Sequence, residues 1–358
     1  MCDISEKYFL GAMTQYGFST EFGKLIEDSS YFTYILKGGA GTGKSSLMKK
    51  VAAHFEPNED VVRFYCSSDP DSLDAVVLKG SKVIIVDGTS PHVFDPIYPG
   101  ACQKIINLGE NWDEEKLKAA KDDIIAVTDK NKSMLARAKR FSTALSNVCG
   151  DTYFCALSAV DKDKLDGFTE RFIKKILTKK GSGSGKKDIR QLTALTEHGC
   201  LTQTDTLENY LDVYKLNDEY FACSHLIIEA VSAEAARRGF DVIICPSHAF
   251  NNNVFEHMLI PELGVAVVSS TPLTQLKYES VKPVNLARFY SKDTLDKYKQ
   301  RLRLNKAAVK SLSEEVYSTI KTAKAIHDEI EKYYIGAMDF DSINAVCGKM
   351  IEEIEARK

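Results

Sequence analysis

The stretch Gly38-Gly39-Ala40-Gly41-Thr42-Gly43-Lys44-Ser45 decides the fold, because it fits the phosphate-binding pattern G-x-x-x-x-G-K-[ST], the Walker A motif. An apolar run of strand length, residues 31–36, precedes it, and apolar residues follow at helical spacing between Leu47 and Phe55. The glycines let the backbone turn tightly, so that successive N–H groups point into one concavity. The N-terminus of the following helix adds partial positive charge, and the stretch therefore predicts a phosphate site.

The same pattern assigns roles to individual side chains. Lys44 is expected to reach the β- and γ-phosphates of ATP, and the Ser45 hydroxyl to hold Mg²⁺. Asp87 ends the apolar strand 83–86, as in a Walker B strand, and its carboxylate is expected to bind the same ion. The simpler interpretations are a glycine-rich turn with an exposed lysine, and a strand-ending aspartate that starts a turn. The predicted nucleotide-binding residues are Gly38, Gly39, Ala40, Gly41, Thr42, Gly43, Lys44, Ser45 and Ser46.

No general base is obvious from the sequence. Gly88, and not the glutamate often found in hydrolysing ATPases, follows Asp87. Polar side chains do follow two predicted strands, at the sheet edge where α/β proteins bind ligands. An acid there can orient water or accept a proton, although turns and a helix cap also explain these residues. The candidates are Asp69, Asp71, Asp74, His92 and Asp95, and the expected catalytic set is Lys44, Asp69, Asp87 and His92.

Composition excludes several classes of protein. The 358 residues are 44% apolar and 27% charged, which is typical of a soluble globular chain. A net charge of −3 gives no general attraction to nucleic acid or to anionic membranes. The nine cysteines form no C-x-x-C pair, which argues against zinc and favours reduced thiols. The sequence shows neither a signal peptide nor an apolar run of roughly 20 residues, so a cytoplasmic location is expected.

The chain also repeats itself at an offset of about 180 residues, which indicates a duplicated domain. Residues 9–18 align with residues 191–200, and residues 83–89 align with residues 265–271. We therefore predict a P-loop domain over 1–180, a flexible Gly/Ser linker over 181–187 and a degenerate copy over 188–358. Each copy is predicted to be a P-loop NTPase-type parallel sheet with helices on both faces and an appended helical hairpin.

The second copy has lost the phosphate pattern. Residues 217–224 stand opposite the loop, and they lack its glycines and its lysine. Asp218 and Glu219 would repel phosphate, and Ser269 stands in the place of Asp87. A structural or regulatory role is expected for this half of the chain.

Secondary structure is predicted from hydrophobic periodicity. Strands are expected near 31–37, 61–66, 83–87, 209–215, 241–245 and 265–269, with a short helix or turn over 71–78. Helices are expected near 44–55, for some thirty residues from 114, and near 162–179, 224–238, 293–334 and 341–356.

Several of these segments resemble an uncharacterised bacterial family of duplicated P-loop ATPase-like proteins. They are Phe9-Leu10-Gly11-Ala12-Met13-Thr14, Ile35-Leu36-Lys37-Gly38, the run from Cys66 to Asp74, and Val86-Asp87-Gly88-Thr89-Ser90-Pro91-His92. The resemblance spans nearly the whole chain and implies the fold and ATP binding. It also favours His92 as a site residue, and it implies no substrate.

Three functions are consistent with the sequence. The favoured one is a Mg²⁺-dependent ATP-binding protein, a hydrolase that uses the N-terminal loop. The second is a small-molecule or nucleotide kinase with Asp69 or Asp71 as base. The third is a non-catalytic ATP sensor that docks an unknown protein or small-molecule partner. GTP is disfavoured, because no clear N/T-K-x-D element follows a strand.

Overall fold

The computed structural model describes residues 6–90, 93–179, 181, 183–250 and 254–357. It is a mixed α/β structure with two six-stranded sheets. The chain divides into two compact units. Unit 1 comprises Met1–Gly11, Phe18–Ala138 and Ser318–Lys358, and unit 2 comprises Ala12–Gly17 and Lys139–Tyr317.

The elements follow one another in this order along the chain. The strands are β1 (Glu6–Phe9), β2 (Ala12–Thr14), β3 (Gly17–Ser19), β4 (Phe32–Lys37), β5 (Val61–Tyr65), β6 (Leu73–Leu78), β7 (Val83–Asp87), β8 (Gln103–Asn107), β9 (Lys187–Ile189), β10 (Thr193–Thr196), β11 (Gly199–Thr202), β12 (Asp212–Asn217), β13 (Val242–Pro246), β14 (Phe255–Ile260), β15 (Val265–Ser270) and β16 (Lys282–Asn285). The helices are α1 (Gly23–Ile26), α2 (Lys44–Phe55), α3 (Glu114–Ala119), α4 (Lys121–Leu157), α5 (Lys162–Ile176), α6 (Ala222–Arg237), α7 (Lys292–Lys297), α8 (Lys299–Ile335) and α9 (Phe340–Glu355).

The sheet of unit 1 has the order β1-β5-β6-β7-β4-β8. β4 pairs in parallel with β7 and with β8, and β1 pairs in parallel with β5. β6 runs antiparallel to both of its neighbours. The residues of β7 from Val83 to Val86 are all buried, as the continuous apolar run of a central parallel strand requires.

The sheet of unit 2 has the order β9-β13-β14-β15-β12-β16, which repeats the order of the first sheet strand for strand. β12 lies parallel to β15 and β16, and β13 lies parallel to β9. β14 is the antiparallel strand here. Both sheets are therefore mainly parallel, with one reversed strand inside each.

Most of the predicted elements are confirmed, and one is wrong. The predicted strands correspond to β4, β5, β7, β12, β13 and β15, and the predicted helices to α2 through α9. The helix or turn predicted over 71–78 is instead strand β6, whose six residues are all buried. The expectation of parallel sheets is confirmed in part, because each sheet is mainly parallel with one reversed strand. Residues 79–82 are too few for the crossover that a parallel pairing of β6 with β7 would need.

The core of each unit includes a helix that the sequence repeat assigns to the other half of the chain. In unit 1, Ile343, Cys347, Met350 and Ile354 of α9 join the core formed by α2 and the sheet. In unit 2, Leu165, Phe172 and Ile176 of α5 join the core that contains α6. The compact units therefore follow other boundaries than the expected segments 1–180 and 188–358.

The Gly/Ser segment is hydrogen-bonded within unit 2. The N–H of Gly181 donates to the Arg238 carbonyl, and the N–H of Gly185 donates to the Ala236 carbonyl. A methyl group on Gly185 would lie 1.9 Å from the Phe240 carbonyl oxygen, so this position accepts only glycine. The expectation of a flexible linker is corrected accordingly.

No helix of the described residues is long and apolar enough to cross a membrane.

We expect Ile85→Ala to lower the free energy of unfolding by about 2–5 kcal/mol, because the side chain lies at the centre of β7 and is 0% exposed. Ile105→Ala is the matched control on the edge strand β8, where 45% of the side chain is exposed, and should cost less than about 1 kcal/mol. Urea denaturation of both variants measures the difference. Equal losses would contradict the assigned sheet order.

Candidate functional site

The glycine loop lies between the end of β4 and the start of α2, as the sequence predicts. Gly41 has a φ of 66° and Gly43 a φ of 83°, both in the left-handed region that favours glycine. Gly43 immediately precedes the first residue of α2, so the loop leads directly into the helix N-terminus. Ser46 lies in the first turn of α2 and is exposed. Strand, loop and helix thus have the connection that an anion site needs.

Lys44 occupies the middle of the site. Its Nζ donates hydrogen bonds to the carbonyl oxygens of Gly38, at 3.1 Å, and of Gly39, at 2.6 Å. Asp87 Oδ2 lies 3.6 Å from the same nitrogen. Thr42 Oγ1 donates to the Gly39 carbonyl at 3.0 Å and closes the loop on itself. The ammonium group therefore links the loop to the end of β7.

The two predicted magnesium ligands flank Lys44. Ser45 Oγ accepts a hydrogen bond from the Leu73 N–H at 3.0 Å, which connects α2 to β6. Asp87 Oδ1 accepts from the N–H and the hydroxyl of Thr89, at 2.9 and 2.6 Å, so its orientation is fixed. The described residues contain no group of three or more His, Cys, Asp or Glu that could hold a metal. A hydroxyl and one carboxylate nevertheless fit Mg²⁺, which takes its remaining oxygens from substrate phosphates and water.

Asp74 is a candidate acid that the sequence leaves outside the expected catalytic set, and its surroundings make it the most unusual of the candidates. It is the second residue of β6 and only 5% exposed. Burial, reinforced by the charge of Asp87, raises the pKa of Asp74 to about 8, against the opposing effects of the Cys66 thiol and Lys44. A buried acid with a raised pKa beside a charged site is a candidate for proton transfer. The signal for Asp74 in the sequence is that it is a single polar residue within an otherwise apolar run.

The other candidate acids have structural partners. Asp69 accepts a hydrogen bond from Ser72 Oγ at 2.9 Å and lies 3.5 Å from Lys324 Nζ. Asp95 lies 3.0 Å from Lys37 Nζ. The backbone carbonyl of Asp71 accepts a hydrogen bond from Lys49 Nζ at 2.6 Å. His92 lies outside the described residues.

A segment from the end of the chain covers the loop in unit 1, and the sequence did not predict it. We call residues 331–343, the end of α8 and the start of α9, the covering segment. A methyl group on Gly39 would lie 3.2 Å from the Tyr334 ring, and one on Gly41 would lie 2.9 Å from the Glu331 carbonyl oxygen. Phe340 and Ile343 face Gly43. The glycines are thus also required by close packing.

The corresponding turn of unit 2, between β12 and α6, binds a carboxylate of its own chain. Asp218 is 2% exposed and accepts hydrogen bonds from the N–H groups of Tyr220, at 3.0 Å, and Ser224, at 2.8 Å. The Tyr290 hydroxyl donates to Asp218 at 2.8 Å and accepts from the Cys223 N–H at 2.9 Å. Phe221 precedes α6 with a φ of 68°, as Gly43 precedes α2. The amides at this helix N-terminus are therefore already engaged.

Unit 2 also contains a buried acid at the second position of its reversed strand. Glu256 of β14 is buried, and burial raises its pKa to about 7. Burial lowers the pKa of His248 to about 4 and that of His257 to about 3. His257 Nε2 lies 2.9 Å from Thr193 Oγ1, while its Nδ1 accepts the Ser269 N–H at 3.2 Å. These histidines are neutral at pH 7.

Comparison of the chain with protein-family models, with curated proteins and with solved structures finds no match. The observations that bear on function are therefore the loop, the position of Lys44 between the loop and Asp87, and the nearby acid Asp74. Together they place one ammonium group, a helix N-terminus and the oxygen donors of Ser45 and Asp87 next to the loop.

We expect Asp218→Ala to lower the free energy of unfolding by about 3 kcal/mol, because it leaves buried N–H groups and the Tyr290 hydroxyl without their acceptor. Glu219→Ala is the control, since its exposed ion pair with Lys306 should contribute less than about 1 kcal/mol. Chemical denaturation measures both losses. An Asp218 variant as stable as the wild type would show that the carboxylate does not hold this turn.

The stability of the Glu256→Gln variant relative to the wild type should increase as the pH rises. The pKa of Glu256 in the folded protein, about 7, lies above the ordinary value of 4.5. The neutral carboxyl therefore contributes its full stability below about pH 4.5, and this contribution is lost as the pH rises through 7. Glutamine does not ionise, and the two histidines are common to both proteins. Between about pH 5 and pH 8 the variant should gain on the order of 3 kcal/mol relative to the wild type. Urea denaturation at several pH values tests this, and a constant difference contradicts it.

Proposed function

We propose that this chain is a Mg²⁺-dependent ATP-binding protein and that unit 1 hydrolyses ATP slowly. The observation that carries the proposal is the glycine loop between β4 and α2, with Lys44 held 3.6 Å from Asp87. We infer further that both sheets are P-loop NTPase-type and arose by duplication, as in the family that the sequence resembles. The identical strand order of the two sheets supports this inference. Eight free cysteines in the described residues suit a reducing compartment such as the cytoplasm.

The residues of the site have distinct roles in this proposal. The loop amides and the N-terminus of α2 bind the phosphates. Lys44 exchanges the carbonyl oxygens of Gly38 and Gly39 for phosphate oxygens and stabilises charge on the transferring group. Ser45 and Asp87 would hold Mg²⁺, which supplies positive charge next to the phosphates. Most of the rate enhancement comes from positioning and electrostatics.

Proton transfer is best assigned to Asp74, the buried acid whose ionisation is influenced by the charges of Asp87 and Lys44. The raised pKa of Asp74 keeps its carboxyl largely protonated at pH 7, so the group is able to donate as well as accept a proton. Asp69 is a weaker candidate for a base, because Ser72 and Lys324 already contact its carboxylate.

A non-catalytic ATP sensor is the second candidate function. Two observations favour it: Gly88 follows Asp87 where hydrolysing enzymes often carry a glutamate, and the covering segment packs directly on the loop. In a sensor, nucleotide binding would change the packing of this segment and thereby the docking of a partner.

Lys44→Ala should weaken Mg²⁺-ATP binding at least tenfold, about 1.4 kcal/mol, because it removes the cation from the loop. Calorimetry measures binding, and ADP release from ATP and Mg²⁺ measures turnover. Lys50→Ala is the matched control, since this exposed lysine of the same helix contacts Asn344 instead of the loop. Chelation of Mg²⁺ should abolish turnover.

The outcomes separate the candidate functions. Turnover that is lost in Lys44→Ala identifies an ATPase. Binding without turnover identifies a sensor, and ATP loss that depends on an added acceptor identifies a kinase. A folded wild-type protein that binds no ATP would overturn the proposal.

A further inference from the structure

The covering segment contacts the glycine loop at each of its turning points. Tyr334 lies against Gly39, and Ile335 lies against Gly41, where a methyl group would approach it to 2.9 Å. The Glu331 carbonyl oxygen would also lie 2.9 Å from a methyl group on Gly41. Backbone hydrogen bonds fix the segment, since the Asp113 N–H donates to Ala337 and the Asp339 N–H donates to Asn111. The loop therefore cannot change conformation without disturbing this contact.

The end of α8 brings negative partial charge to the loop. The helix ends at Ile335, which lies against Gly41, so the negative end of the helix dipole is beside the loop. The Glu331 side chain is 34% exposed, and its Oε1 lies 3.6 Å from His327 Nε2. His327 chiefly, with contributions from Lys324 and the Gly41 N–H, lowers the pKa of Glu331 and keeps it ionised. The backbone of Glu331 thus lies against Gly41, which brings an ionised side chain next to the phosphate loop.

We propose that Glu331 is an anionic brake on the phosphate site, whose carboxylate opposes nucleotide phosphate at Gly41, so that nucleotide binding displaces the covering segment. This inference rests on the proposed function of unit 1. Phosphate and carboxylate both seek the positive potential of the loop, and like charges at this separation repel strongly. The nucleotide binds only when the end of α8 moves away from the loop.

The chain contains a built-in probe of this movement. Trp112 is its only tryptophan. Its ring centroid lies 5.5 Å from that of Tyr334, and its side chain would lie 3.4 Å from a methyl group on Gly39. Tryptophan fluorescence therefore comes from a single side chain that lies where the loop and the covering segment meet.

The test is titration of Glu331→Gln with Mg²⁺-ATP, followed by calorimetry and by Trp112 fluorescence. Glutamine keeps the size of the side chain and removes its charge, so the variant should bind roughly five- to tenfold more tightly than the wild type, and the fluorescence change should saturate at correspondingly lower ATP. Glu329→Gln is the matched control, because Glu329 is exposed on the same helix, and its affinity should stay within about twofold of the wild type.

Each outcome bears on the brake. Tighter binding by Glu331→Gln alone, relative to a wild type that itself binds ATP, supports it. Equal or weaker binding by Glu331→Gln than by the wild type overturns the brake and leaves ATP binding by unit 1 intact. An ATP-dependent calorimetric signal without any change in Trp112 fluorescence overturns the displacement of the covering segment. Absence of binding in all three proteins overturns the proposed function and the brake together.

Discussion

The ammonium group of Lys44 is the interaction on which the arrangement of unit 1 depends. It joins two carbonyl oxygens of the loop to Asp87 at the end of β7, and so it ties the loop to the sheet. A lysine with little exposure is stable only with such partners. The same cation lies near Asp74, whose ionisation is suppressed by burial and by Asp87. Removal of Lys44 would therefore concentrate negative charge at the carboxyl edge of the sheet.

The glycines of the loop satisfy two constraints at once. Gly41 and Gly43 adopt left-handed backbone conformations, and Gly39 and Gly41 lie too close to α8 for a larger residue. Either constraint alone would select glycine. The motif in the sequence is therefore evidence for the shape of the loop first, and for phosphate only through the positive charge of Lys44 and the N-terminus of α2.

Local pattern predicted the parts of the site that are local in sequence. The loop, α2 and Asp87 follow from apolar periodicity and from the lysine in the glycine-rich run. β6 was missed because Asp74 interrupts its apolar run, and the polarity of that residue reflects the site and not the strand. The covering segment was beyond prediction, because nothing near Glu331 or Tyr334 indicates that α8 ends at a loop formed by residues 38–43. Likewise, the sequence predicts that the acids at 218 and 219 would repel phosphate, but it does not show that Asp218 accepts hydrogen bonds from the N-terminus of its own helix.

Each unit places an acidic residue near the turn between a central strand and the helix that follows it, with different consequences. In unit 2, Asp218 precedes the helix in the chain, is almost fully buried and has three hydrogen-bond donors, so its departure would expose several buried groups at once. In unit 1, Glu331 belongs to a distant helix, is partly exposed and has His327 as its nearest partner. The first carboxylate is a permanent part of the fold, because its removal leaves buried donors unsatisfied. The second is the one that a phosphate would replace under the proposed brake, because it is partly exposed and the loop amides would gain a stronger anion.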